Sequence, residues 1–221
     1  DSVDFAACER AGVDVARRPT GGRAVLHARE WTYSVIFPAD SSFYRKSILE
    51  TYLVIARWLL AGLQSLGIAA SLAPERHIPA GELTGPDGQS CFSVPSSYEI
   101  IADGRKLVGS AQRRWPDVVL QHGSILVGEE HLGIADLLHL GAAGREELKK
   151  DLRRRTAWIE QFVQKPPALE DFARLMAEKW EEIFPVRVEE GGLFPEEEKR
   201  AGELISRFRV VREEEPVRNS H

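Results

Sequence analysis

The sequence predicts an α+β fold with a mixed, largely antiparallel sheet packed against helices, followed by a C-terminal helical tail. Two observations carry this prediction. Runs rich in aromatic and β-branched residues, which favour strands, occur on both sides of one long amphipathic stretch, which favours a helix. The last third of the chain is dominated by helical periodicity. Strands followed by a run of helices are typical of α+β proteins rather than of alternating α/β proteins.

The first predicted elements are strands within "VDVARRPTGGRAVLHAREWTYSVIFP". Val13 and Val15 alternate with polar neighbours, a turn at Pro19 and the following glycine pair interrupts them, and residues 24–27 resume the alternation. Residues 32–37 are aromatic and β-branched, which predicts a further strand.

The next stretch, "SSFYRKSILETYLVIARWLLAGLQSLG", predicts a long helix. Its apolar residues recur at spacings of three and four, as on one face of a helix. Ser41 or Ser42 is the expected N-terminal cap, and Gly67 is expected to end the helix in the left-handed conformation.

The middle of the chain predicts a surface loop followed by strands. Residues 73–90 are rich in proline and glycine, which indicates the loop. Asp103 and Gly104 lie between apolar runs, which predicts a tight hairpin with Lys106 at the start of its returning strand. The segment "DVVLQHGSILVG" predicts another strand, in which Gly123 marks a bulge or a close approach of backbone.

The final third predicts helices over residues 144–164 and 169–184, and a last helix with Pro195 in its first turn. We therefore expect a catalytic domain over residues 1–165, with N-terminal elements missing from it, and a helical extension over residues 166–221.

Composition limits the class of protein. The chain has 221 residues, 43% hydrophobic and 29% charged, which is ordinary for a globular protein. Its net charge of −5 argues against general nucleic-acid binding. No apolar run is long enough for a membrane-spanning helix, and no secretory signal is present. Two cysteines are too few for a disulfide framework, so a reducing cytoplasm is expected.

Cys91 and Lys106 are the first candidates for chemistry. A thiol attacks only as the thiolate, and a nearby ammonium group lowers the pKa of a cysteine. The hairpin returns the chain toward its start, so that Lys106 can approach Cys91, where its ammonium group can also stabilise charge on a carbonyl oxygen. The alternative is a buried, inert cysteine and a solvated lysine.

A second candidate site lies around the glycine pair Gly21 and Gly22. Glycines allow a ligand to approach the backbone closely, or they simply form a turn. The flanking Arg17, Arg18 and His27 favour a binding role. Adjacent residues on a strand point to opposite faces, so only one of the two arginines is expected to face a site.

Other polar groups have simpler explanations. His122 lies in an apolar strand, where a histidine is more often a hydrogen-bonded core residue than a catalyst. Neither the six histidines nor Cys8 shows metal-ligand spacing, so no metal site is predicted. The basic run over residues 149–155 is either a solvated helix face or a surface that docks an acidic carrier protein.

Taken together, "RRPTGGRAVLH", "TYSV", "CFSVPSSYEIIADGRKLVGSAQRR" and "LQHGSIL" resemble the lipoate–biotin protein ligase and octanoyltransferase superfamily. The resemblance covers roughly residues 13–130. The Arg-Arg-x-Thr-Gly-Gly loop of the superfamily matches residues 17–22, and its Gly-Arg-Lys-x-x-Gly-Ser-Ala-Gln run matches residues 104–112. The resemblance implies the fold of biotin and lipoate ligases, which is similar to that of class II synthetases.

Within the superfamily the chain is most similar to cysteine-dependent octanoyltransferases of the LipM type. They carry Cys-Phe, Pro-Ser and Tyr-Glu ahead of the Gly-Arg-Lys hairpin, as residues 91–99 do here. The resemblance implies that Cys91 takes an octanoyl group from acyl carrier protein as a thioester and passes it to a lysine of a lipoyl domain, such as the glycine-cleavage H protein. Lys106 is then expected to hold the acyl carbonyl. The implied substrate-binding residues are Arg18, Gly21, Gly22, His27, Gly109, Ser110 and His122.

This chemistry needs no cofactor, because a thioester donor is already activated and ATP is not required. A nucleophilic cysteine divides the transfer into two steps through a covalent intermediate. At about 0.8 kcal/mol per buried methylene, an eight-carbon chain supplies roughly 5 kcal/mol of binding free energy. Donors of neighbouring chain length are therefore expected to be poorer, not excluded.

Two departures from the family pattern matter. The superfamily usually has an aspartate after the histidine of its second motif, where this chain has Ala28, which puts the hydrogen bonding of His27 in question. The superfamily also has an N-terminal strand and helix that are expected to be absent here.

Three alternatives remain at this stage. An ATP-dependent lipoate–protein ligase shares the glycine loop and the lysine but usually carries an extra small domain. An amidotransferase between lipoyl domains also uses a cysteine, usually in another sequence setting. A non-catalytic carrier-binding module has no need of a reactive thiol at Cys91.

Overall fold

A computed structural model describes residues 2–45, 47–73 and 98–210 of the chain. The helices and strands are α1 (Phe5–Arg10), β1 (Glu30–Pro38), α2 (Ile48–Ser65), β2 (Ala70–Leu72), β3 (Ile100–Ala102), β4 (Arg105–Lys106), β5 (Val108–Arg114), β6 (Val118–Leu126), α3 (Ala142–Arg155), α4 (Leu169–Ile183) and α5 (Pro195–Phe208). Segments of 3-10 helix cover Glu130–Leu137 and Ile159–Gln161. The short helix α1 is a feature that the sequence patterns did not indicate.

Within the described ranges, two antiparallel three-stranded sheets form the centre of the fold. One has the order β1-β6-β5 and the other the order β2-β3-β4. Helix α2 packs against both sheets, and its buried face carries Ile55, Leu59 and Leu63 in the main hydrophobic core. The α+β fold with antiparallel sheets and C-terminal helices is confirmed.

Helix α4 also contributes to this core. Its Phe172 and Met176 are buried there, and the Phe172 ring stacks on Trp31 of β1 with 4.1 Å between centroids. The indole N–H of Trp58 in α2 donates a hydrogen bond of 2.6 Å to the Met176 carbonyl. The division of the chain at residue 165 stays a prediction, but the packing of α4 places it in the same core as the sheet.

The local turn predictions are confirmed at two positions. Asp103 and Gly104 have φ values of 51° and 69°, as a tight hairpin requires, and they join β3 to β4 with Lys106 on the returning strand. Gly67 has a φ of 80° and follows the last turn of α2 in the left-handed region.

The predicted cap of α2 is wrong. The N-cap is Ser47, whose hydroxyl accepts from the Glu50 N–H at 3.0 Å while the Glu50 carboxylate accepts from the Ser47 N–H at 3.1 Å. This reciprocal pair satisfies two amide groups that the helix leaves unbonded. Residues 41–44 form a separate turn, closed by the Tyr44 N–H to the Ser41 carbonyl at 3.0 Å.

The strands predicted between residues 13 and 27 are also wrong. That segment forms no strand and makes isolated bridges, such as the one between Ala16 and Arg209. Its apolar alternation has another cause, because Val13, Val15 and Leu26 pack around the buried Cys8 and Leu137. The segment is thus anchored by side chains and not by a sheet.

The helix predicted over residues 144–164 is shorter than expected. Helix α3 ends at Arg155 because Thr156 turns to an extended conformation with ψ of 151°. The next residue, Ala157, donates its N–H to the Lys106 carbonyl at 2.9 Å. The chain therefore leaves the helix at Thr156 and hydrogen-bonds to strand β4 of the hairpin.

The last helix, α5, begins with Pro195 as predicted and has no buried residue. The residues after it return to the body, where the Val210 N–H donates to the Val15 carbonyl at 2.8 Å. Among the described residues, no helix is both long enough and apolar enough to cross a membrane.

Candidate active site

A cavity of about 390 Å³ opens on the sheet β1-β6-β5. Five of the predicted substrate-binding residues line it, namely Arg18, His27, Gly109, Ser110 and His122. Six further residues complete the lining: Val25, Thr32, Tyr33, Ser34, Gly123 and Ser124. Residues that are far apart in the chain are therefore brought to one place by the fold.

The strand register explains why these side chains meet. Ser34 of β1 lies opposite His122 of β6, and Thr32 lies opposite Ser124, so that the four side chains share one face of the sheet. The chain before β1 lies over this face. It is held there by a hydrogen bond of 2.5 Å from Arg113 to the Pro19 carbonyl.

Gly123 allows β5 and β6 to approach closely at the cavity. A Cβ atom at this position would collide with the Gly109 carbonyl oxygen and would lie 2.8 Å from the Tyr33 ring. The predicted close approach of backbone at Gly123 is therefore confirmed, and it brings the Gly109 and Tyr33 groups to the cavity wall.

The predicted glycine pair lies to one side of this cavity. Gly22 has a φ of 109° and lines a neighbouring cavity of about 490 Å³, whereas Gly21 lines neither of the two. Arg18, Val25 and His27 line both cavities and form the wall between them. The Arg18 guanidinium donates to the Arg23 carbonyl at 2.8 Å, which fixes the turn across the glycines.

His27 is bound to a buried carboxylate. Its Nδ1 hydrogen-bonds to Oε1 of Glu30, the first residue of β1, and the same oxygen accepts from the Ser124 hydroxyl at 2.9 Å. The hydrogen bond with Glu30 raises the pKa of His27, against the opposing effects of burial and of Arg18. Ala28 is exposed, and the carboxylate that binds His27 is that of Glu30.

His122 has the opposite electrostatic environment. Burial lowers its pKa, and the nearby Arg18 and His27 lower it further. Its Nε2 lies 2.7 Å from the Thr20 hydroxyl, which ties the glycine turn to β6. His122 is therefore a hydrogen-bonded residue that also lines the cavity, and its role in substrate binding stays a prediction.

A group of hydrogen-bonded polar side chains begins at the cavity wall with Tyr33 and Ser110. The Tyr33 and Ser110 hydroxyls are 2.7 Å apart, and Gln121 donates to the Tyr33 hydroxyl at 3.2 Å. The Tyr52 hydroxyl donates to the Tyr98 carbonyl at 2.9 Å. Burial, aided by the charges of Tyr33 and Glu99, raises the pKa of Tyr52, so its phenol stays protonated.

Lys106 is buried against Glu99 with 2.5 Å between Nζ and Oε1. In the part of the chain that the structure describes, Lys106 does not line the cavity of His27 and His122. It precedes β5, whose Gly109 and Ser110 do line it. Tyr98, next to Glu99, has a φ of 68°, which is uncommon for a residue other than glycine.

Cys91 lies outside the described residues, so its position relative to Lys106 stays a prediction. The structure adds Glu30, Thr20 and Ser124, which the sequence did not single out. Strand periodicity offered a signal for Ser124, which is two residues after His122 and therefore on its face. Thr20 stands within the recognised glycine motif, whereas nothing in the sequence pattern marks Glu30.

The antiparallel sheets and the motif-lined cavity define a protein of the lipoate ligase and transferase class. The chain belongs to the lipoyl protein ligase A/B catalytic domain family, whose model matches residues 1–181. The octanoyltransferase LipM of Kyrpidia tusciae is 36% identical over 207 residues, covering 93% of this chain and 76% of the relative. The octanoyltransferase LipM of Bacillus subtilis is 34% identical over 197 residues, covering 88% and 71%.

Solved structures show the same fold. A bipartite lipoate protein ligase of Thermoplasma acidophilum aligns with a TM-score of 0.70 at 22% identity, over 93% of this chain and 71% of that one. A lipoate-protein ligase A bound with ATP aligns with a TM-score of 0.66 at 21% identity, over 93% and 73%. At these identities the likeness establishes the fold alone.

Proposed function

We propose that this protein is an octanoyltransferase of lipoate biosynthesis, which moves an octanoyl group from a thioester donor to a lysine of a lipoyl domain. The observation that carries the proposal is the 36% identity over 93% of the chain to an octanoyltransferase LipM. The cavity lined by Arg18, His27 and His122 supports it, because it gathers the family motifs at one place.

The finer parts of the proposal concern the partners. The donor is octanoyl–acyl carrier protein and the acceptor is the glycine-cleavage H protein. A thioester donor is already activated, so the transfer consumes no ATP. A cytoplasmic location is part of the same proposal and rests on the low cysteine count.

The proposed nucleophile is Cys91. Its thiolate attacks the donor carbonyl carbon, a new C–S bond forms, the bond to the carrier sulfur breaks, and the carrier thiolate takes up the proton that Cys91 lost on ionisation. The neutral amine of the acceptor then attacks the enzyme thioester, the C–N bond forms, the C–S bond to Cys91 breaks, and one proton of the amine passes to the departing thiolate. Lys106 is proposed to stabilise the oxyanion of these steps, with its charge balanced by Glu99.

Mass spectrometry of the intact protein tests this function. We expect incubation with octanoyl–acyl carrier protein, without ATP, to add one octanoyl group to Cys91. A lipoyl domain added afterwards should then remove the group from the enzyme and gain it as an amide. Cys91→Ser is the nucleophile variant, and Cys8→Ser is the matched control because Cys8 is buried in the N-terminal cluster.

Each other outcome has a definite meaning. Normal transfer by Cys91→Ser would refute the cysteine mechanism while leaving the transferase in place. Lipoylation of the acceptor that requires ATP and free lipoate would establish a ligase instead. If the carrier protein binds but no acyl group moves under either condition, the protein is a binding module.

A further inference from the structure

Four arginines surround the glycine turn beside the candidate site, and we call them the arginine rim: Arg17, Arg18, Arg23 and Arg113. The first three line the cavity of about 490 Å³ next to the site, and Arg18 lines both cavities. Arg113 belongs to β5 and reaches the same turn, where it donates to the Pro19 carbonyl at 2.5 Å. Positive charges from two distant parts of the chain therefore meet at one place.

The segments that form the rim contain no acidic residue. The whole chain has 34 aspartates and glutamates among 221 residues and a net charge of −5. Residues 15–29 and 108–116 together contain six arginines and neither aspartate nor glutamate. A patch of positive charge on an otherwise acidic protein creates a local field of the opposite sign, which attracts acidic partners to that place.

The arginines of the rim are also available to a partner. Among the described residues, Arg17, Arg23 and Arg113 form no ion pair with a carboxylate. Arg17 and Arg113 are exposed, and Arg23 is half-buried. The Arg113 guanidinium lies 4.7 Å from the centre of the Trp115 ring, a contact that leaves its charge uncompensated. An incoming carboxylate therefore displaces no carboxylate of the protein from these three groups.

The basic run of α3, the surface that the sequence suggested for an acidic carrier, is different. Lys149 binds Asp136 at 2.8 Å, and Arg153 binds Glu129 at 3.1 Å. The buried Asp151 accepts from the last two arginines of the helix at 2.6 and 2.7 Å. Much of the charge of this run is thus compensated within the protein, so the rim is the better surface for an acidic partner.

Hydrogen bonds to the backbone hold the rim in place. The Arg17 N–H donates to the Phe208 carbonyl at 2.7 Å, which ties the turn to the end of α5. The Arg18 guanidinium donates to the Arg23 carbonyl at 2.8 Å across the glycines. A surface that is ordered before binding loses less conformational entropy when a partner docks.

We propose that the arginine rim docks the acidic surface of the acyl carrier protein that delivers the octanoyl group. The inference rests on the proposed octanoyl transfer from a carrier-bound thioester. Acyl carrier proteins are acidic, so the net negative charge of this chain repels them and the rim attracts them. Since Arg18 lies in the wall between the two cavities, a carrier bound at the rim presents its acyl thioester beside the candidate site.

Steady-state kinetics of the full chain with two donors test the proposal. Octanoyl–acyl carrier protein carries the acidic surface, whereas octanoyl-N-acetylcysteamine is a small neutral thioester that has no surface to dock. Salt screens attraction between exposed charges, so raising the ionic strength from about 0.01 M to about 0.15 M should lower kcat/KM for the carrier donor by about 10-fold. The same change should leave kcat/KM for the small donor unaltered.

Charge reversal locates the effect. We expect Arg23→Glu to lower kcat/KM for the carrier donor by about 10-fold and to raise the Kd of the acyl-free carrier, measured by fluorescence anisotropy, by a similar factor. Activity with the small donor should match that of the wild type. Arg17→Glu should act in the same direction. The matched control is Arg174→Glu in α4, which changes the net charge equally at a side chain that is 73% exposed and lines neither cavity.

Other results would overturn the inference. A carrier kcat/KM that does not depend on salt, or an equal loss in Arg174→Glu, would show that the rim is not a docking surface. A loss shared by the small donor would indicate that Arg23 supports the cavity instead. If only the transfer to the lipoyl domain were sensitive to Arg23→Glu, the rim would bind the acceptor and not the carrier.

Failure of the proposed function gives a different result. A wild type that transfers from neither donor would refute the octanoyl transfer, and the anisotropy measurement would still decide the docking. Binding of the acyl-free carrier that is weakened by Arg23→Glu and not by Arg174→Glu would support the rim. Equal binding by the wild type and both variants would overturn it.

Discussion

Replacing Phe172 by alanine tests whether α4 belongs to the cooperative unit that carries the site. Phe172 is 4% exposed and stacks on Trp31 of β1, which begins beside the cavity. Burying a phenylalanine side chain contributes about 1.5–3 kcal/mol, and an aromatic pair adds about 0.5–1.5 kcal/mol. Substitutions of buried phenylalanine by alanine generally lower the free energy of unfolding by about 3–5 kcal/mol.

The structure places Phe172→Ala at the lower end of that range. Phe172 and Trp31 line an apolar groove of about 470 Å³ between β1 and α4, so solvent and neighbouring side chains can enter the vacated space. We expect a loss of about 3 kcal/mol. With a urea slope of about 2–3 kcal/mol/M, this moves the unfolding midpoint by roughly 1 M, which tryptophan fluorescence can follow.

The matched control is Phe194→Ala, because Phe194 is 70% exposed just before α5. Exposed substitutions usually change stability by less than about 0.5 kcal/mol. If Phe172→Ala were as mild as Phe194→Ala, α4 would not share the core of the sheet. The chain would then divide near residue 165 into independent parts, as the sequence suggests.

Three further predictions concern the site and its supports. Gly123→Ala should lower the free energy of unfolding by about 1–3 kcal/mol in thermal denaturation and weaken substrate binding, because its Cβ would collide with the opposing backbone. The control, Gly144→Ala in α3, should raise the free energy of unfolding by up to about 1 kcal/mol in the same assay. Ser47→Ala should destabilise by about 1 kcal/mol in urea titrations, and Ser42→Ala, which removes no helix cap, should leave the midpoint unchanged. His122 should titrate below its ordinary pKa in a nuclear magnetic resonance titration, because burial disfavours its protonation in the folded state. Its effect on the free energy of unfolding should be absent above that ordinary pKa and unfavourable as the pH falls below it. A pKa above the ordinary value would contradict the burial of His122.

Short sequence patterns correctly predicted the turns whose geometry depends on a few neighbouring residues. The Asp103-Gly104 hairpin and the end of α2 at Gly67 follow from conformations that few residues adopt, so short patterns are enough to predict them. Strands were wrongly predicted over residues 13–27, because the alternating valines there pack into a cluster of side chains and not into a sheet. Periodicity reports which residues are buried, and it does not report what covers them.

Motif residues of the site could also be predicted from the sequence, whereas features that depend on tertiary packing could not. Motif residues such as Arg18, Ser110 and His122 line the cavity, and their residue types and spacing were informative. The cap of α2 at Ser47 was missed because several serines in one stretch compete for the same position. Which of them caps a helix depends on where the helix first packs, and that is a tertiary property.

Two buried carboxylates bind basic residues at or near the candidate site, and of the two only Glu99 belongs to a recognised motif. Glu99 binds Lys106, which lies in the chain just before β5. Glu30 binds His27 at the start of β1, opposite Leu126 at the end of β6. The residue before Leu126, Ile125, pairs with Val108 of β5. The hydrogen bond to Glu30 raises the pKa of His27, so this carboxylate affects proton affinity more than substrate contact. Glu30→Gln should therefore lower the pKa of His27 in a nuclear magnetic resonance titration before it alters substrate affinity.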